Sequence, residues 1–142
     1  MTDILKISDG SSLAFHAMAL LARHPEKRAS TTKMAELFGA SEHTLAKVMH
    51  DLVRAGFVDS VRGAGGGFSI IRDPQKVTLL EIYEAIDGPL EEQHCLLGKP
   101  ACNGKTCVMQ GLMSKLHQEL HGYFKKTTLD ALANAIEIGD EE

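Results

Sequence analysis

The apolar positions of this chain read as a succession of amphipathic helices interrupted once by short strands. Leu13, Ala17, Leu20 and Leu21 fall on one face of a helix running from about Asp9 to about Arg23. Ser8 or Asp9 is placed to cap it, and His24-Pro25 ends it, because the residue before proline is pushed out of helical conformation. Ala29-Ser-Thr-Thr32 then caps a short helix, Lys33 to Phe38, that stops at Gly39. Ser41 caps the next helix, Glu42 to about Arg54, with Leu45, Val48, Met49 and Leu52 turned inward. Two short helices joined by Gly39-Ala-Ser41 form a helix-turn-helix, whose second helix offers its N-terminal residues to base edges in the major groove.

Beyond Ala55-Gly56 the period changes from helical to extended. Phe57-Val-Asp-Ser-Val61 reads as one strand and Phe68-Ser-Ile-Ile71 as its return, joined by Arg62-Gly-Ala-Gly-Gly-Gly67. Strand, glycine-rich turn and strand directly after a helix-turn-helix make a winged helix. Arg62 and Gly63 stand at the start of the turn, where glycines let the chain lie against a nucleic-acid backbone and the arginine adds charge. A nucleotide-phosphate loop is disfavoured, because no Gly-Lys-Ser/Thr and no following helix N-terminus accompany these glycines.

Helical periodicity then resumes. Thr78-Leu-Leu-Glu81 has the form of a capping box and opens a helix carrying Leu79, Ile82, Tyr83 and Ile86, which Gly88-Pro89 stops. A long helix is expected from about Thr106 to about Lys126. Its stripe Met109, Met113, Leu116, Leu120 and Tyr123, widened by Leu112 and Phe124, asks for a partner of its own kind, as in a coiled-coil seam. A last helix from Leu129 to about Ile138 closes the core, and the acidic tail Gly139-Asp-Glu-Glu142 is expected to be disordered. The fold class is therefore mainly α: a winged helix-turn-helix with a two-stranded wing over residues 1–77, and over residues 78–142 a cysteine loop, a long dimerisation helix and a C-terminal helix.

Charge sharpens this division. The chain of 142 residues has a net charge of −4, but residues 1–77 carry a balance of +2 and residues 78–142 one of −6. The slight basic excess permits nucleic-acid contact in the first part without demanding it. No apolar run approaches membrane-spanning length and no signal-peptide pattern opens the chain, so a cytoplasmic protein with no membrane partner is expected. Ser41, His43, Thr44 and Lys47, at the exposed start of the second helix of the pair, are the candidates for base reading.

All three cysteines fall in Cys95-Leu-Leu-Gly-Lys-Pro-Ala-Cys102-Asn-Gly-Lys-Thr-Cys107, a stretch that Gly98, Pro100 and Gly104 make a loop. An odd count argues against a plain disulfide framework, and the paired spacing of a zinc knuckle is missing. Soft thiolates on one loop suit an iron–sulfur cluster, with thiol redox sensing, zinc or inert cysteines as the alternatives. Three ligands are one short of the usual four.

The order of parts resembles the IscR/NsrR/CymR family of bacterial regulators, called the Rrf-two family, over about residues 4–136. The resemblance is carried by Lys6-Ile-Ser-Asp9, by Leu52-Val-Arg-Ala-Gly56-Phe-Val58, and by the wing Val61-Arg-Gly-Ala-Gly-Gly-Gly67-Phe68. The cysteine loop running into Val108-Met-Gln-Gly-Leu112 adds to them. It implies a homodimer whose long helices cross, bound as a repressor to a palindromic operator in double-stranded DNA. It also implies a 2Fe–2S or 4Fe–4S cluster on Cys95, Cys102 and Cys107, sensing nitric oxide, redox state or iron–sulfur status. The IscR type completes its cluster with a histidine at the place of Gln110. The NsrR type uses an aspartate of the other subunit, and Asp9 stands at that place; His94 is the runner-up. The middle cysteine lies one place later than the even spacing of those types. Where the IscR type carries an operator-reading glutamate this chain has Ala46, so a different target sequence is expected. The alternative within the resemblance is a cluster-free, thiol- or partner-responsive repressor of the CymR type.

Overall fold

The computed structural model describes residues 7–97, 101–103 and 107–136. Lys6, Gly98, Pro100, Gly104, Thr106, the acidic tail and the end of the last helix at Ile138 lie outside the described residues. The element order is α1 (Asp9–Arg23), α2 (Thr31–Phe38), α3 (Glu42–Arg54), β1 (Val58–Val61), β2 (Gly67–Ile70), α4 (Leu79–Asp87), α5 (Val108–Lys126) and α6 (Leu129–Ala135).

Most boundaries are set by local capping chemistry. Ser8, Ser30, Ser41, Thr78 and Thr128 each accept a backbone N–H of the first turn they precede, which satisfies a donor the helix leaves orphaned. Thr78 and Glu81 form the full reciprocal box. Gly39 ends α2 in the left-handed region, with its N–H returned to Ala35 and Glu36. At α1 the capping oxygen belongs to Ser8, and Asp9 is the first helical residue.

One hydrophobic core runs through α1, α2, α3, α4 and α6, with Phe124 of α5 at its edge. Leu45, Val48, Met49 and Leu52 face it, as their spacing requires. In α1 the innermost residues are small: Ala14, Ala17 and Ala19 are buried with Met18 and Leu21, whereas Leu13 and Leu20 pack at the margin. Alanines let neighbouring helices approach α1 closely, which makes it the central rod. Packing crosses residue 77: Leu129 donates to the Val77 carbonyl at 2.7 Å, Leu79 donates to Thr127 at 3.0 Å, and Thr78 bridges Thr128. Among the described residues no helix is long and apolar enough to cross a membrane.

The wing is an antiparallel hairpin in which Val58 faces Ile70 and Val61 faces Gly67. It gains a third backbone partner from the segment between α1 and α2. Ala29 and Phe68 exchange both hydrogen bonds, at 3.0 and 2.8 Å. The guanidinium of Arg28 donates to the Gly67 carbonyl and pairs with Asp59 on β1 at 3.4 Å. At the wing's base Arg72 lies over the Phe57 ring and reaches Glu81 of α4 at 3.7 Å. These attachments join residues far apart in sequence, so no local pattern announces them.

Candidate nucleic-acid interface and cysteine loop

The solvent face of α3 carries Glu42, His43, Thr44, Ala46, Lys47, His50 and Arg54, all exposed. Burial of the opposite face by Leu45, Val48, Met49 and Leu52 fixes this orientation. Ser41 is exposed but engaged, since its oxygen accepts the Thr44 N–H at 3.4 Å as the cap. The hydroxyl proton and the oxygen's second lone pair remain available. Glu42, absent from the sequence-derived candidates, is held at the same tip by the Thr32 hydroxyl at 2.7 Å. Only the folded α2–α3 pair brings those two residues together.

Arg62 and Gly63 are exposed at the wing tip. The glycines serve the wing's own geometry as well as any ligand. Gly67 has φ +126, and a Cβ there would lie 2.6 Å from the Ala29 carbonyl oxygen. A Cβ on Gly66 would strike the carbonyl oxygens of Val61 and Gly63.

Cys95 is half-buried, Cys102 and Cys107 are exposed, and all three are free thiols. Cys107 occupies the N-cap position of α5 without making a side-chain cap. Two residues before Cys95, the buried side-chain oxygen of Gln93 has no hydrogen-bond donor among the described residues. Soft, unpaired thiols on one segment match the donor set of an iron–sulfur cluster. Their placement does not yet form a chelate, because among the described residues no three His, Cys, Asp or Glu side chains are grouped to hold a metal ion. Asp9 is exposed on the first turn of α1 and has no hydrogen bond among the described residues. His94 is exposed and Gln110 half-buried.

The root of this loop is tied to the start of α1. Ser8 donates its hydroxyl to both carboxylate oxygens of Asp87, at 2.9 and 2.7 Å, and the fully buried Ser11 hydroxyl donates to the same group. A Cβ on Gly10 would stand 3.2 Å from Ile86 and 3.7 Å from Val48, so the start of α1 touches both α4 and α3. Burial, and then the Asp87 charge, push the Tyr83 phenol above its ordinary range. The root of the cysteine loop, the start of α1 and α3 thus stand in direct packing contact.

On α5 the apolar stripe divides in two. Met113, expected at a partner interface, is 3% exposed, and Leu120 and Phe124 pack against the chain's own core. Phe124 stacks edge-on against Phe15, its ring centroid 5.5 Å away. Leu116 is half-buried, while Met109, Leu112 (46% exposed), Tyr123 (65%) and Val108 (85%) remain on the outside. The helix is apolar over a wider arc than one packing surface needs, because one edge serves α4 and the other is left open.

Comparison with known proteins agrees with this architecture. The family model described as Rrf2, Iron-dependent Transcriptional regulator, matches residues 7–135. A protein of Aquifex aeolicus (strain VF5) described as an HTH-type transcriptional regulator is 32% identical over 130 residues, covering 89% of this chain and 90% of that one. The HTH-type transcriptional regulator IscR of Klebsiella pneumoniae (strain 342) is 32% identical over 108 residues, covering 75% of this chain and 66% of IscR. Among solved structures, CymR (YrzC), the global cysteine regulator of B. subtilis, superposes with a TM-score of 0.76 at 28% identity, covering 94% of this chain and 99% of that one.

Proposed function

Because the chain belongs to the Rrf2 family of transcriptional regulators, we infer that it is a dimeric DNA-binding repressor whose operator affinity is set by an iron–sulfur cluster. The observation that carries the cluster is the gathering of all three cysteines, as free thiols, on the one loop that joins α4 to α5. Its relatives are named as transcriptional regulators, and enzymatic chemistry forms no part of the reading.

In this reading α3 enters the major groove, with His43, Thr44 and Lys47 toward base edges and phosphates. Arg62 and Gly63 lie along the backbone or in the adjoining minor groove. The exposed face of α5 pairs with that of a second copy, which sets the spacing of the two reading helices and calls for a palindromic operator. Cys95, Cys102 and Cys107 hold the cluster, and Asp9 of the opposite subunit supplies the fourth ligand. When bound, the cluster supplies a centre that oxidants and nitric oxide attack. Drawing Cys102 and Cys107 toward Cys95 would move the root of the loop at Asp87. Ser8, Ser11 and Gly10 would carry that movement to the start of α1 and on to α3.

A second reading is supported by the ungrouped, partly exposed thiols and by the likeness to CymR: cluster-free thiol sensing on the same fold. Protein purified without oxygen separates the two. The cluster reading expects visible absorbance with iron and sulfide near stoichiometry, reduced in each single Cys→Ala variant. A colourless, iron-free wild-type protein with DNA binding sensitive to thiol oxidation would establish the second. Asp9→Asn is expected to leave the apo form about as stable as the parent, since Ser8 is the cap. Its cluster should show an altered spectrum and faster loss in air; an unchanged spectrum and lifetime would remove Asp9 from the ligand set.

Arg62→Ala tests the wing. If each Arg62 neutralises one phosphate, affinity should fall for every sequence, and with two copies in the dimer the slope of log affinity against log salt should flatten by about 1.8. A gel-shift titration at several salt concentrations checks this. An unchanged slope, with losses confined to A/T-rich flanks, would place Arg62 in a narrow minor groove instead.

A further inference from the structure

Glu42 is an anionic side chain at the tip of the helix that reads DNA. It is exposed, it occupies the first turn of α3, and its Oε1 accepts the Thr32 hydroxyl at 2.7 Å. A carboxylate brought against a polyanion weakens binding to every sequence unless something on the DNA compensates it. The N-terminal dipole of α3 favours the charge, but no cationic side chain of the helix faces it, because the neighbours three and four residues on are Leu45 and Ala46. Ala46 also leaves the space beside the carboxylate open, having no side chain beyond Cβ. Thr32 fixes one oxygen from α2, and Oε2 has no hydrogen bond among the described residues. An oriented acceptor with an open side is suited to a hydrogen-bond donor of the major groove.

The groove presents two exocyclic amines, on cytosine and on adenine. The adenine amine is flanked on both sides by acceptors, its own N7 and the thymine O4, which repel a carboxylate; the cytosine N4 amine has an acceptor on one side only, the guanine O6. We propose that Glu42, oriented by Thr32, is a specificity-determining residue that accepts a hydrogen bond from a cytosine N4 amine in each half-site. This rests on the DNA-binding reading above and is independent of whether a cluster or a thiol is the sensor.

Selection of binding sites from random-sequence duplexes, using the purified full-length protein, tests it. The wild type should select a half-site with a fixed cytosine and discriminate against thymine there by about ten-fold or more, the range a single good base contact supplies. Glu42→Ala should lose that preference to within about two-fold, with binding to bulk DNA equal or stronger because a negative charge is gone. Glu42→Gln should shift the same position toward adenine, whose N6 and N7 suit a carboxamide. Thr32→Val, which removes only the orienting hydroxyl, should weaken discrimination without changing the preferred base. Circular-dichroism melts of each variant confirm that the fold is kept. An identical motif and identical discrimination in Glu42→Ala would overturn the proposal. A wild type that selects no motif would overturn the DNA-binding reading beneath it, a separate and recognisable failure.

Discussion

Gly67→Val is expected to abolish specific DNA binding while leaving the helical core folded. Gly67 sits at φ +126, where a side chain is strained whatever the space, and its missing Cβ faces backbone: the Ala29 oxygen at 2.6 Å, the Ala29 carbon at 2.8 Å and the Ser30 nitrogen at 3.1 Å. Backbone atoms cannot rotate away as the end of a flexible side chain can. The strain is of order 1–3 kcal/mol, and the two Ala29–Phe68 hydrogen bonds lost with the displaced strand add about 1 kcal/mol each. A total of about 3–5 kcal/mol should lower the melting temperature by roughly 10 °C or more. The helices should remain, because their core residues come from α1, α3, α4 and α6 rather than from the wing tip. Gly65→Ala is the control. Gly65 also has positive φ, +73, but nothing lies within 4 Å of its absent Cβ. It should cost only the conformational strain and keep measurable DNA affinity. Equal melting temperatures and equal gel shifts for the two variants would show that the approach to Ala29 does not hold the wing.

With α5 pairing two copies as proposed, Leu112→Glu is expected to leave the chain monomeric and to lower operator affinity by about 100-fold or more, the usual return of making two half-site contacts intramolecular. Leu112 is 46% exposed on the outward arc formed with Val108, Met109 and Tyr123. A charge placed there would face its own copy across a two-fold axis, where each carboxylate must be desolvated beside the other. The chain's own core makes no use of this position, so the melting temperature of the isolated chain at high dilution should change little. Met113→Glu provides the contrast: that residue is 3% exposed, and the same substitution should unfold the chain. Sedimentation across a concentration series reads the outcome. A Leu112→Glu protein that remains a dimer would move the interface off this face.

Sequence alone was enough wherever the determining interaction is local. Serine and threonine caps, Gly39 in the left-handed region and the period of Leu45, Val48, Met49 and Leu52 act within a few residues of themselves. They set α2, α3 and the capping box of α4 before any tertiary contact exists. The wing was legible for the same reason, as two extended runs on either side of a glycine cluster. The family relationship, too, was carried by short contiguous stretches that a reader of the chain can see.

Tertiary structure decided what depends on distant partners. Periodicity marked a broad apolar arc on α5, but only packing against α4 and Phe15 assigned Met113, Leu120 and Phe124 to the inside and left Val108 and Leu112 outside. The wing's third backbone partner, Ala29, is separated from Phe68 by two helices and a strand, so no window of sequence contains both. The capping oxygen at α1 belongs to Ser8 rather than Asp9, and the same hydroxyl also binds Asp87, a residue on another helix. The same distance hid Glu42, whose orientation depends on Thr32 across the turn. Capping and periodicity are short-range and survive in the linear text, whereas the choice among equivalent apolar or polar residues is made by whichever neighbour the folded chain brings against them.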